Sequence, residues 1–98
     1  MGTMIETLPS GTILRFAMVD GAAYARKDYI IPGLCAMVDS VRYGGGDWRL
    51  ASIHVVGSKL GDRKAVSELT DSAIDDANGW IDELNNGDFR FVEGESER

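Results

Sequence analysis

Ala65-Val66-Ser67-Glu68-Leu69-Thr70-Asp71-Ser72-Ala73-Ile74-Asp75-Asp76-Ala77-Asn78-Gly79-Trp80-Ile81-Asp82-Glu83-Leu84-Asn85-Asn86 is the stretch on which the fold turns. At about 100° per residue, Val66, Leu69, Ala73, Ala77, Trp80 and Leu84 fall within about 80° of one another. Ile74 and Ile81 flank them on one side. Glu68, Asp71, Asp75 and Asp82 gather opposite, and Asp76 and Glu83 lie between the two faces. No Lys or Arg occurs between Lys64 and Arg90. The pattern predicts one amphipathic helix over 65–86, with an apolar face that docks on a sheet and a carboxylate stripe facing away. Gly79 interrupts it only in propensity, at about 1 kcal/mol relative to Ala, because the apolar phase continues through Trp80, Ile81 and Leu84. Gly87 supplies the helix stop.

Outward from this helix, the chain reads as strands. Leu8-Pro9-Ser10-Gly11 is turn chemistry. Thr12 to Val19 is apolar except for Arg15 and suits a central strand. Asp20-Gly21 is a hairpin signal. Ala22 to Ile31 returns as a second strand, although Ala22 to Lys27 also suits a helical turn, and Pro32-Gly33 ends it. Leu34 to Tyr43 and Asp47 to Val56 are the arms of a hairpin around Gly44-Gly45-Gly46. In the second arm Arg49, Ala51, Ile53 and Val55 share one face and Trp48, Leu50, Ser52, His54 and Val56 the other. Neither face is cleanly polar, which places this arm inside the sheet. Asp62 or Ser67 caps the helix, and Asp88 to Val92 alternates as a short final strand. The expected class is α+β: a four- to five-stranded, mainly antiparallel sheet with the long acidic helix across one face. Residues 1–98 form a single small domain, with 1–7 and 93–98 as frayed termini.

The net charge of −6 is unevenly spread, +2 over residues 1–64 and −8 over 65–98. Such asymmetry favours a basic partner. The N-terminus has neither a basic n-region nor an apolar h-region, so neither a signal peptide nor an anchor is expected. No apolar run suits a membrane span. With one cysteine no intramolecular disulfide forms, and a cytoplasmic location is expected.

Chemistry-bearing patterns are sparse. His54 is the sole histidine; Ser52, Cys35 and Asp39 are conceivable partners, but no nucleophile motif surrounds them. Cys35 reads as a small core residue. One Cys and one His make a zinc site unsuitable, and Asp75-Asp76 lacks calcium-loop spacing; neither metal nor cofactor is expected. Lys59, Arg63 and Lys64 flank a helix N-terminus, yet the phosphate-loop spacing fails. Tyr24, Arg26, Lys27 and Tyr29 interleave rings and cations as nucleic-acid platforms do, but the net charge opposes direct nucleic-acid binding.

The chain therefore reads as a non-enzymatic binding protein: an inhibitor, an immunity-type protein or a nucleic-acid mimic. Its acidic helix would engage a basic protein surface, such as that of a nucleic-acid-binding protein. The expected contact residues are Glu68, Asp71, Asp75, Asp76, Asp82 and Glu83. Tyr43 and Trp48, beside the glycine tip, are expected as aromatic anchors. The rival reading is an assembly subunit that self-associates through apolar sheet edges, its acidic face serving solubility alone.

Overall fold

The computed structural model describes residues 3–8 and 10–86. Five strands precede one helix: β1 (Thr3–Thr7), β2 (Ile13–Val19), β3 (Ala22–Ile31), β4 (Leu34–Tyr43), β5 (Arg49–Val56) and α1 (Arg63–Asn85). The strands form one antiparallel sheet in chain order, each paired with its sequence neighbours. The fold is α+β, with α1 lying over β3, β4 and β5. No helix among the described residues is long and apolar enough to cross a membrane. The strand expected over 88–92 lies outside the described residues.

Local chemistry accounts for the meander. Asp20 and Gly21 both take positive φ, 52° and 82°, as the tight turn joining Val19 to its partner Ala22 requires. Pro32-Gly33 joins Ile31 to Leu34 in the same two-residue manner, with Gly33 at φ 85°. Ala22 to Lys27 belongs to β3, so its strand reading holds and the helical-turn alternative fails: the pairing of Arg15 with Arg26 through Val19 with Ala22 takes up its backbone.

Two expectations are corrected. Thr3–Thr7, expected within a frayed terminus, is β1 and pairs with β2 from Thr3↔Ala17 to Thr7↔Ile13. Among the described residues β5, expected inside the sheet, stands at its edge. Its alternation breaks at a bulge: Asp39 faces Ser52 but Ser40 faces Leu50, leaving Ala51 as the extra residue. Arg49 thereby joins the face of Ser52, His54 and Val56 rather than that of Ile53 and Val55. The second arm looked two-sided because of this shift, not because both sides are covered.

Residues opposite one another in the register point to the same side. Leu14, Phe16, Ala23, Ala25, Ala36 and Val38 therefore share the face beneath α1, and all are buried. From above, Leu69, Ala73, Ala77, Trp80, Ile81 and Leu84 meet them. Alanines on both layers bring the helix axis close to the sheet, and Trp80 fills the space that remains. Trp48, buried under the helix end, meets Phe16 edge-on, with ring centroids 5.9 Å apart.

The turn from β5 into α1 passes close to the β3–β4 turn. Gly57, at φ 139°, lies so near it that a Cβ would sit 2.2 Å from the Gly33 carbonyl oxygen. The amide of Lys59 donates to that same oxygen at 3.0 Å. Asp62 then caps α1, accepting from the Ala65 amide at 3.1 Å. Gly57→Ala should destabilise the domain by about 1–3 kcal/mol, through positive φ and a backbone clash together. Gly61→Ala, where a Cβ meets nothing within 4 Å, should be neutral or stabilise by up to about 1 kcal/mol. Paired urea melts of the two variants check this.

Candidate functional site

The helix face turned away from the sheet carries Glu68, Asp71, Asp75 and Asp82, all exposed. Three ion pairs occur among the described residues, Arg15–Asp28, Arg26–Asp39 and Lys27–Asp76, and none involves these four carboxylates. The charge order along α1 also opposes its dipole. Its first turn holds Arg63 and Lys64 and no acid; its last turn holds no base. Cations in the first turn and Asp82 in the last each cost a few tenths of a kcal/mol, while Glu68, Asp71 and Asp75 lie between the ends, where the dipole contributes little.

Asp76 and Glu83, expected on the same surface, are engaged inside the molecule. Asp76 accepts from Lys27 Nζ at 2.9 Å and from the Tyr29 hydroxyl, and Tyr29 Oη in turn accepts from the buried Trp80 Nε1 at 2.9 Å. Lys27 Nζ also stands 4.8 Å from the centre of the Tyr29 ring. Burial, with the bond to Asp76, pushes the Tyr29 hydroxyl well above its ordinary pKa, so it keeps the proton it donates. Burial also pushes the Asp76 carboxyl up, but the bonds from Tyr29 and Lys27 outweigh it and hold the group below the ordinary aspartate value.

Glu83 is clamped by the β1–β2 turn. Ser10 Oγ donates to its Oε1 at 2.6 Å, and the Ser10 amide donates to Oε2 at 3.1 Å. A third clamp is Asn85, which no motif in the sequence marks. Its side-chain amide accepts from the Trp48 amide at 2.7 Å and donates to the Trp48 carbonyl at 2.9 Å. These bonds set the helix's rotation, and that rotation turns Asp71, Asp75 and Asp82 to solvent.

The two aromatic candidates part company. Trp48 is 5 % exposed and belongs to the core, so it is no surface anchor. Hydrogen bonds to Asn85 and the contact with Phe16 draw it inward, where the glycine tip had suggested the opposite. Tyr43 is 59 % exposed, but by register it lies on the sheet face away from α1. It therefore does not share a surface with the acidic stripe.

Other candidates disperse in the same way. Tyr24 and Arg26 lie on the sheet face away from the helix while Lys27 and Tyr29 lie beneath it, because strand residues alternate sides. The interleaved platform thus does not form. Ser52 Oγ donates to Asp39 at 3.4 Å rather than to His54. Cys35, expected in the core, stands half-exposed on the open face beside Ile30 and Val56. Where β2 and β3 part, a cleft of about 480 Å³ gathers Arg15, Arg26 and Lys27. Each of these cations already bonds an aspartate, which leaves little attraction for an added anion. No group of three or more potential metal ligands assembles among the described residues.

Comparison with protein-family models, curated protein sequences and solved structures finds no match. Function therefore has to be read from the surface itself.

Tyr29→Phe removes the acceptor of a buried indole N–H and should cost about 1–3 kcal/mol. A depressed Asp76 carboxyl contributes stability that is present above about pH 4, the unfolded value, and lost as the pH falls through its folded value. Asp76→Asn should remove that part of the acid dependence, with a neutral-pH loss of about 1 kcal/mol at this half-exposed position. Urea melts of both variants between pH 2 and pH 7 test the assignment (about the range in which carboxylates titrate).

Proposed function

We propose that this is a small, non-enzymatic binding protein whose acidic helix face engages a basic protein surface. Inhibitors, immunity-type proteins and mimics of nucleic acid share that physics. The observation that carries the reading is the division among the helix carboxylates. Asp76 and Glu83 hold the helix to the sheet, whereas Glu68, Asp71, Asp75 and Asp82 stay exposed outside every ion pair among the described residues. They hold charge on one side of a rigid element, and Asp82 does so in the last turn, against the helix dipole.

From Glu68 to Asp82 the stripe extends about 20 Å, at 1.5 Å rise per residue. Repeated negative charge over that length suits a groove built for phosphates. Steering by such a field speeds encounter with a cationic partner and makes association fall with salt. A cytoplasmic site of action accords with a chain holding one cysteine.

The Asp71→Asn, Asp75→Asn, Asp82→Asn triple variant tests the reading. Melting should stay the same or rise slightly, since like charges at i, i+4 and acids near the C-terminus are relieved. Wild type and variant serve as parallel baits in a cell lysate, eluted by rising salt. Wild type should retain a basic protein that the variant loses, and kinetics with that purified protein should show at least about tenfold weaker binding and a flatter salt response. Equal retention of the same proteins by both baits at every salt concentration would reduce the stripe to a solvated surface.

A further inference from the structure

The helix covers one side of the sheet, and among the described residues nothing covers the other. On that open face Val19, Tyr24 and Tyr43 stand at one end and Ile13, Ile30 and Val56 at the other, by strand alternation and register. Ile30 is 75 % exposed and Tyr43 59 %. Between the two apolar ends runs a belt of paired charges. Arg26 grips Asp39 through two bonds of 2.7 and 2.9 Å, and Arg15 Nη2 bonds Asp28 at 2.8 Å.

We infer that this open face is a homodimer interface, occupied by a second copy of the chain stacked sheet against sheet. Charge distribution is the first reason. A chain of net charge −6 repels its copies wherever acids meet. On the open face, however, the described strands carry Arg15, Arg26 and Arg49 against Asp28 and Asp39, and the acidic helices would point outward on opposite sides of the pair. The second reason is area. Four strands at about 4.8 Å spacing, with β3 and β4 ten residues long, present roughly 600 Å² in projection. Side-chain relief brings this near the ~800 Å² per partner of a standard interface.

The third reason selects the symmetry. A two-fold axis along the strands, between β3 and β4, sets each copy's β3 over the other's β4. Arg26 then faces the second copy's Asp39, Tyr24 faces its Val41, and apolar ends meet apolar ends. An axis across the strands would instead set Arg26 on Arg26. The interface is thus self-complementary in one arrangement, as a two-fold contact must be. It does not depend on the acidic stripe, so either reading survives the failure of the other.

Sedimentation across concentrations up to about 100 μM, where interfaces of this size associate, should show a dimer. Cys35, the sole cysteine, lies on the open face and reports the surface used. Its alkylation by a maleimide should slow severalfold as the dimer forms. The Ile30→Glu, Tyr43→Glu variant changes two exposed positions; it should melt like wild type at dilutions where the wild type is monomeric, lack the wild type's rise in Tm with concentration, remain monomeric and keep a concentration-independent alkylation rate. A monomer throughout the series overturns the proposal. So does a dimer in which Cys35 reacts at the monomer's rate, since pairing through the β5 edge or the helix would leave this face open. Should the variant fail to fold, the wild-type concentration series on Cys35 still decides.

Discussion

Trp80 fills the space between helix and sheet, and in doing so carries an indole N–H into an apolar core, where it needs an acceptor. The Tyr29 hydroxyl provides it and passes its own proton's bond on to Asp76, which Lys27 also holds. One phenol oxygen thus joins the core's largest side chain to a half-exposed carboxylate, across both layers. The helix cannot rotate without breaking this chain of bonds. Ser10 on Glu83 and Asn85 on the Trp48 backbone repeat the constraint toward the helix C-terminus. The outward direction of the remaining carboxylates follows from this inner fastening.

Two surfaces of contrasting character result. The helix exterior is acidic, and Glu68, Asp71, Asp75 and Asp82 stand outside the ion pairs of the described residues. The open sheet face is apolar at its ends and closed upon itself electrostatically at its centre. The two proposed uses thus fall on opposite sides of the sheet, so neither would block the other. The internally paired carboxylates matter to this division. Were Asp76 and Glu83 turned outward as well, the helix would keep its apolar seat but lose two of its polar fastenings.

Much of the fold was legible in the sequence because its determinants are local. Asp20-Gly21 and Pro32-Gly33 encode two-residue turns, and the spacing of Leu69, Ala73, Ala77, Trp80 and Leu84 encodes the docking face. What escaped was decided by pairing across the chain. β1 has only five residues and acquires its order from β2; the edge position of β5 depends on strand order, and its bulge on β4. Of the candidate site, the exposure of Glu68, Asp71, Asp75 and Asp82 was legible. Asp76 and Glu83 lie within about 40° of Leu69 on a helical projection at 100° per residue, which was a signal that both could reach the sheet. Nothing beside Trp48 announced burial, because the residue that draws it in, Asn85, lies far along the chain.

The meander also sets a timetable for the nascent chain. Every strand meets its partner across a short turn, so each hairpin can close within microseconds of becoming available, as local connectivity allows. The helix that covers the sheet follows all five described strands. At translation rates of about 5–20 residues per second, the roughly thirty residues from Val56 to Asn85 take seconds to appear. Throughout that interval Leu14, Phe16 and Val38 face water with no cover. The newborn sheet is therefore the aggregation-sensitive species of this protein, and arrival of the acidic helix ends its exposure.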